Sequence, residues 1–553
     1  MKVVVIGGQA AGCKVAARLK RLLPESQVTI IEMKSIISFG TCGMPFYAAG
    51  EVDFNDLLKT AHGTLRDEEY FLTNKGVLTL TNTYAERIDT SEKKVYITDL
   101  QTGIKSILDY DKLVFATGAK PVRPAFPMPD SERISYFHSP DDSKKFRDAA
   151  RRGAIDRAAI IGGGSIGVEL AEALTSMWGI ETVVIERAGR LLPNLFDGDM
   201  SRLIEARLNK NGVQVLLKKN IKRITLNAED KLTIDMGDES VDCGYAFACV
   251  GVSPEVSLAE SSGIAVGKLG GIIVDERMRA NLDGVYAAGD CVELTHAITG
   301  APCHLPLGSL ANKQARAIAG DIAGKESKFP PVVGAASIKV FELILASAGL
   351  TEEAAKRAGI DFATVVGSFL DRPEYHPEKK SLAAKLLYER GSKKLLGLQI
   401  IGEGEVTRYI DSFSTLLGFG ATFNALFEIE HAYAPPHSAP LSPLFMLAAM
   451  AENQEDDGLR CISLREAASS NCQVIDVREP KEAQIHPVNL KSLNIPLGAL
   501  AERIDSINRS HSLVMLCERG SRSYEAARLL KNKGFKKVAY IGGGAKFYSA
   551  LSD

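Results

Sequence analysis

No C-x-x-C pair occurs among the nine cysteines, which excludes a neighbouring-dithiol redox centre. Cys42 is alone as well: the places five residues to either side hold Ile37 and Tyr47. An excess of charge of one sign is missing too. Lys+Arg number 66 against 68 Asp+Glu, a net charge of −2, so nothing marks a nucleic-acid or anionic-membrane partner. No long uncharged apolar run reads as a transmembrane helix. The opening Met1-Lys2-Val3-Val4-Val5-Ile6 enters a strand without the apolar region and cleavage site of a signal peptide. Scattered cysteines in such a chain point to reduced thiols and a cytoplasmic location. The nine histidines form no ligand-spaced cluster, so no metal site is expected.

What is present suits a large globular protein. At 553 residues the chain is too long for one core, and three to four domains are expected. Residues 2–6 form an apolar strand, followed by Gly7-Gly8-Gln9-Ala10-Ala11-Gly12 and a helix with Val15, Leu19, Leu22 and Leu23 on its apolar side. A second strand, Val28–Ile31, ends at Glu32. Small residues let the backbone approach a pyrophosphate at the helix start, and the acid meets the adenosine ribose. Gln9 replaces the middle glycine of G-x-G-x-x-G, so this first fingerprint is imperfect.

The pattern returns intact. Ala158–Ile161 leads into Gly162-Gly163-Gly164-Ser165-Ile166-Gly167, then a helix, then Thr182–Ile185 ending at Glu186. Two fingerprints imply two dinucleotides, a flavin and a nicotinamide. Glu186 would accept from a ribose 2′-OH and repel a 2′-phosphate, which favours NADH; Arg187 and Arg190 leave NADPH possible. Leu113–Gly118, with Thr117 and Gly118 at its turn, and Gly284–Asp290 read as further strands of the first nucleotide domain. Asp290 is placed to hold a ribityl or phosphate-proximal hydroxyl, or to cap the next segment. Cys291 reads as structural.

Beyond Phe329-Pro330-Pro331 the pattern changes. Residues 335–347 and 382–401 read as strands, Glu352–Arg357, Tyr409–Leu417 and Leu444–Met450 as helices, and Glu455–Gly458 as a short acidic linker. A final small domain opens with Cys472–Glu479. Its strand Leu513–Cys517 ends in a cysteine, followed by Glu518-Arg519-Gly520-Ser521-Arg522 and a helix. A cysteine between a strand end and a helix start is ringed by backbone N–H groups. With two arginines close by, it is expected to be a nucleophilic thiolate.

These stretches together carry a resemblance. Residues 1–455 resemble the single-cysteine pyridine-nucleotide flavin reductases, the group that holds coenzyme A disulfide reductase, NADH oxidase and NADH peroxidase. The matching segments are Gly7–Gly12, Ser38-Phe39 with Cys42-Gly43, Ala116–Pro121, Ala288-Gly289-Asp290, Ala311–Gln314 and Tyr433-Ala434-Pro435-Pro436. Residues 459–553 resemble a rhodanese domain, through Asp476–Glu479, Cys517–Arg522 and Gly542-Gly543-Gly544. The fusion is similar to coenzyme A disulfide reductase–rhodanese proteins, also described as NADH-dependent persulfide or polysulfide reductases.

The resemblance implies an α/β chain with two Rossmann-like domains, an α+β dimerisation domain and an α/β rhodanese domain. The expected divisions are 1–112 with 246–328 for FAD, 113–245 for NAD(P)H, 329–454 for dimerisation and 459–553 for the rhodanese domain. It implies that Cys42 is the redox nucleophile and Cys517 the sulfur carrier, its persulfide steadied by N–H groups and Arg522. By position, Arg18, Arg21 and Ser38 match coenzyme A contacts, and Tyr375 and Tyr433 match tyrosines lent across a homodimer. Thr41 stands where the family has asparagine, His437 replaces a tyrosine, and a lysine is replaced near Leu441. These departures point to altered coenzyme A binding or to another thiol.

Three readings follow. In the first, NADH reduces FAD and Cys42 passes the electrons to a small persulfide, polysulfide or disulfide, with Tyr433 or His431 donating a proton. In the second, O₂ or peroxide takes the electrons through a Cys42 sulfenic acid, but a sulfur-carrier tail has no use there. In the third, both cysteines are switches of a sulfur-responsive sensor, and the intact nicotinamide fingerprint argues against it.

Overall fold

The computed structural model describes residues 1–229 and 231–549. The chain forms two compact units: Met1–Ile185 with Asn220–His296 and Gly300–Val332, and Glu186–Lys219 with Ala297–Thr299 and the chain from Val333.

In the first unit, Lys2–Ile6 sits at the centre of a five-stranded parallel sheet. Lys112–Phe115 and Val285–Ala287 lie to one side, Gln27–Ile31 and Leu78–Leu80 to the other. Its central strands are apolar runs buried on both faces, as expected for a sheet covered by helices. The helices Ala10–Leu22 and Gly308–Ile322 pack on each other. A second parallel set orders Glu181–Glu186, Arg157–Ile161, Tyr245–Ala248 and Ile134–Ser135. The boundaries expected at 112/113 and 245/246 each cut through a strand. Lys112–Phe115 pairs with Lys2–Ile6 and belongs to the first sheet, while Tyr245–Ala248 pairs with Arg157–Ile161 and belongs to the second.

In the second unit, a five-stranded antiparallel sheet runs in the order Ala336–Val340, Leu343–Gly349, Leu395–Gly402, Ser381–Glu389, Phe362–Leu370. The stretches 335–347 and 382–401, expected as single strands, are therefore hairpins. Phe341 at φ 51° and Lys393 at φ 61° turn the chain through the left-handed region, which hydrophobic patterning does not reveal. Helices Thr407–Gly418 and Pro443–Asp457 cover this sheet.

The expected linker is also corrected: Pro443–Asp457 is one helix, and it runs through Glu455 to stop at Gly458, a left-handed cap at φ 61°. The acidic run is partnered. Glu455 accepts from the Tyr388 hydroxyl at 3.0 Å, Asp456 pairs with Lys393 at 2.8 Å and Asp457 with Arg528 at 2.7 Å. The C-terminal domain follows as a parallel sheet ordered Arg460–Ile462, Val538–Ile541, Ser512–Leu516, Cys472–Asp476, Ser492–Asn494.

Candidate active site

The first fingerprint forms a cradle with no room for a side chain at Gly7 or Gly12. Gly7 has φ 109°, and a Cβ there would lie 2.0 Å from the Ala116 carbonyl oxygen; a Cβ on Gly12 would lie 1.9 Å from the Gly7 oxygen. Ala10 and Ala11 begin the helix Ala10–Leu22. Glu32, buried at the strand end, accepts from Gly8 N–H at 2.7 Å and from Lys34 N–H at 2.9 Å. Each carboxylate oxygen keeps a lone pair for a ribose hydroxyl. Around the same sheet edge, Thr117 donates to the Glu255 oxygen at 2.5 Å and Gly118 adopts φ 72°. Gly289 N–H donates to Gln314 at 2.6 Å, and burial pushes the Asp290 carboxyl up, an effect eased by His304. The second cradle repeats the geometry. A Cβ on Gly162 would lie 2.3 Å from the Cys249 oxygen and one on Gly167 2.1 Å from the Gly162 oxygen, while Gly164 faces open space. Glu186 ends its strand and accepts from Ala188 N–H at 2.6 Å. These closures fit two dinucleotides.

Gln9 is explained by what it holds. Its Oε1 accepts from Phe39 N–H at 3.0 Å and its Nε2 donates to the Ile36 oxygen at 3.0 Å, so it splints the segment leading to Cys42. Ser38 within that segment sits at φ 55° and donates its N–H to the Gly8 oxygen at 2.8 Å. Cys42, in the short turn Thr41–Gly43, is exposed and free, as is Thr41 exposed. Its thiol is pushed up by partial burial and by the carboxylates of Glu169 and Asp290. A Cβ on Gly308 would lie 4.0 Å from its sulfur, so the helix Gly308–Ile322 begins beside it. That positive helix end is the feature placed to oppose the carboxylates.

Glu169 is a site residue the sequence reading missed. Burial and neighbouring Glu172 push its carboxyl up to about 7. A glutamate inside a glycine-fingerprint helix carries no local mark of this. Arg316 was missed as well. Burial and the like charges of Arg316 and Arg21 depress Arg18, and the Arg18 Nε has no partner among the described residues. Three guanidinium groups gather there from the helices Ala10–Leu22 and Gly308–Ile322, an arrangement suited to phosphate oxygens.

In the second unit the structure brings Tyr375 and Tyr433 together. They are 73% and 47% exposed, and a hydrogen bond with Tyr375 raises the Tyr433 phenol. The His431 ring is taken up at 3.2 Å by the Ala439 carbonyl. Cys517 is buried at the end of Ser512–Leu516, and Gly520 N–H donates to its sulfur at 3.0 Å. Ser523, also buried, lies 3.5 Å from the sulfur.

Both arginines after Cys517 are paired with carboxylates, and the Arg522 charge also interacts with the Cys517 thiol. Both Arg522 amino groups bind Glu482 at 2.7 Å, which holds that carboxyl down at about 2, and Arg519 reaches Glu374 at 2.6 Å. Carboxylates outside the loop bind both guanidinium groups, Gly520 N–H supplies a direct hydrogen bond to Cys517, and Arg522 acts on it through charge. Asp476 and Arg478, which carried part of the resemblance, form a buried pair at 2.7 Å; Arg478 also donates to the His486 oxygen at 2.7 Å. All nine cysteines are free, no grouping of metal ligands occurs among the described residues, and no described helix is long and apolar enough to cross a membrane.

Two dinucleotide cradles with a lone exposed thiol define a redox protein of the pyridine-nucleotide class. Residues 1–310 match the pyridine nucleotide-disulphide oxidoreductase family, 335–442 its dimerisation domain and 463–550 the rhodanese-like domain. The chain belongs to the pyridine nucleotide-disulphide oxidoreductases, with a rhodanese-like domain at its C-terminal end. A curated relative, the NAD(P)H coenzyme A polysulfide/persulfide reductase of Pyrococcus horikoshii, is 31% identical over 81% of this chain and 97% of its own length. Among solved structures, a NAD-dependent persulfide reductase from A. fulgidus is 37% identical, with TM-score 0.95 over 99% of this chain and 100% of that one. The reduced CoADR-RHD of Bacillus anthracis is 29% identical, with TM-score 0.92 over 100% of this chain and 98% of that one.

Proposed function

We propose that this chain is an FAD-containing reductase that uses NADH to reduce coenzyme A persulfide, polysulfide or coenzyme A disulfide at Cys42, with Cys517 carrying sulfane sulfur. The observation that carries the reading is two separate sulfur sites in a chain with two nucleotide cradles: exposed Cys42 and loop-bound Cys517. An oxidase or peroxidase has no use for the second.

For a persulfide the balance is R–S–SH + NADH + H⁺ → R–SH + H₂S + NAD⁺. The Cys42 thiolate attacks the outer sulfur; a new S–S bond forms to Cys42, the S–S bond of the substrate breaks, and R–S⁻ leaves and takes up a proton. FAD, when bound, supplies the electron pair taken from NADH. That pair cleaves the Cys42 persulfide, returning the thiolate and releasing sulfide. Deprotonating Cys42 is the demanding part, because its surroundings hold the thiol up. Glu169, at about 7, is tuned to take a proton near neutrality. The Arg18, Arg21 and Arg316 group suits the phosphates of coenzyme A, with Ser38 and Thr41 lining the approach to the thiol.

Glu186 favours NADH, and Arg190 is already committed to Glu353 at 2.6 Å, which leaves exposed Arg187 as the one of the two named arginines free to meet a 2′-phosphate. The matched dimerisation domain supports a homodimer, in which the exposed Tyr375–Tyr433 pair would be lent to the partner as proton donor.

Stopped-flow kinetics test this reading. The yellow protein should bleach faster with NADH than NADPH and sediment as a dimer. It should reoxidise faster with coenzyme A persulfide, disulfide or polysulfide than with O₂. Cys42→Ser should still bleach but lose persulfide turnover at least about a hundredfold. Wild-type turnover in Cys42→Ser, or fastest reoxidation by O₂, would sink the assignment.

A further inference from the structure

The strand Phe362–Leu370 continues into a loop, 371–380, whose base is tightly closed. Lys380 N–H donates to the Asp371 carboxylate at 2.7 Å, and Asp371 N–H to the Lys380 oxygen at 3.0 Å. Asp371 itself is buried. Arg372–Glu378 at 2.7 Å and Lys379–Glu374 at 3.3 Å brace the interior of the loop, which carries Tyr375 at its exposed tip.

The strand and its loop are fastened to the rhodanese-like domain at two heights. Near the base, the Ser368 hydroxyl donates to the Gly543 oxygen at 2.7 Å. Gly543 and Gly544 underlie the Cys517 loop so closely that a Cβ on Gly544 would lie 2.5 Å from Arg519 N and 2.6 Å from the Cys517 oxygen. At the tip, Glu374 binds Arg519 at 2.6 Å. Arg519 is two residues from Cys517, and Glu374 is the neighbour of Tyr375. The arginine that sequence logic would turn toward the sulfur instead holds the tyrosine loop.

We propose that Arg519 and Glu374 are positioning residues: their ion pair lets the rhodanese-like domain hold Tyr375, and through it the Tyr375–Tyr433 pair, in the geometry that serves persulfide reduction. The inference rests on the proposed reductase function. It gives the C-terminal domain a second role, independent of sulfur on Cys517. The Glu374 side chain is 64% exposed and that of Arg519 29%, so the pair adds little to global stability. A small local preference is nevertheless enough to set the population of an exposed tip.

Hydrogen–deuterium exchange and steady-state kinetics on the full-length flavoprotein test the proposal, with preformed coenzyme A persulfide as substrate. Arg519→Ala and Glu374→Gln should each raise exchange across 371–380 and lower kcat by roughly three- to tenfold, with KM for NADH unchanged. The double reversal Arg519→Glu with Glu374→Arg should restore both readouts toward wild type. Unchanged exchange in the single variants overturns the latch. Raised exchange with wild-type kcat overturns its role in reduction. A wild-type protein unable to reduce the persulfide would fell the reductase reading, whereas the exchange result would still decide the latch.

Discussion

Glu169 concentrates the residue-scale argument, because its carboxyl is pushed up to about 7 by burial and by Glu172. The folded chain therefore holds that proton more tightly than the unfolded chain does. The stability it contributes is full below the ordinary carboxyl value of 4.5 and is lost as pH rises through about 7. Glu169→Gln should remove that dependence. The difference in Tm between pH 5 and pH 8 should shrink in the variant, and equal slopes for both proteins would refute the assignment. Gln9 makes a related point about legibility. In sequence it is a defect in a glycine fingerprint; in the structure it fixes Phe39 and Ile36 ahead of Cys42. Local spacing exposed the fingerprints, the lone Cys42 and the Cys517 loop. Glu169 and Arg316 stayed hidden because their roles arise from partners brought together only by folding.

Among elements, periodicity found the strands and helices but not where they turn or join. Positive-φ residues without glycine, Phe341 and Lys393, break two expected strands into hairpins, and the partnered acids 455–457 turn an expected linker into helix. Another long-range joint is Lys385, whose side chain is 4% exposed. It meets Asp197 at 3.3 Å, Asp199 at 2.9 Å and Glu352 at 2.7 Å. It ties the strand Ser381–Glu389 to the segment before and within the helix Gly198–Lys210. Lys385→Met keeps the volume but leaves three carboxylates without their cation, and should cost about 3–5 kcal/mol in urea denaturation. A loss below about 1 kcal/mol would mean that water or another cation compensates. The glycine triplet gives a second test. Gly544 has φ 65° and no space for a Cβ, so Gly544→Ala must displace the Cys517 loop. Sulfurtransfer from thiosulfate should fall by about tenfold or more, given the cost of an ångström's displacement of reacting groups. Wild-type transfer would show that the loop tolerates the shift.

For the whole molecule, the proposed function raises the question of how sulfur on Cys517 would reach Cys42. A flexible linker would let the last domain swing, but the junction is helical and bound along its length. Asn453 accepts from the Tyr524 hydroxyl at 3.0 Å, Gln454 from Cys461 N–H at 2.9 Å, and Asp457 pairs with Arg528 at 2.7 Å. A junction bonded on both sides favours a small diffusible carrier over a swinging domain, and coenzyme A, with its long thiol arm, has the chemistry for it. Under the proposed function the two cysteines would act in series through that carrier. Cys517→Ala should abolish sulfurtransfer from thiosulfate or polysulfide to coenzyme A, while reduction of preformed coenzyme A persulfide stays within about twofold of wild type. In a coupled assay starting from thiosulfate, NADH oxidation by the variant should be lost and should return when coenzyme A persulfide is added. If Cys517→Ala leaves every polysulfide-dependent rate unchanged, the last domain carries no sulfur for this reaction. If it also abolishes reduction of preformed persulfide, Cys517 belongs to the reductase step itself and a two-site series through a carrier is wrong.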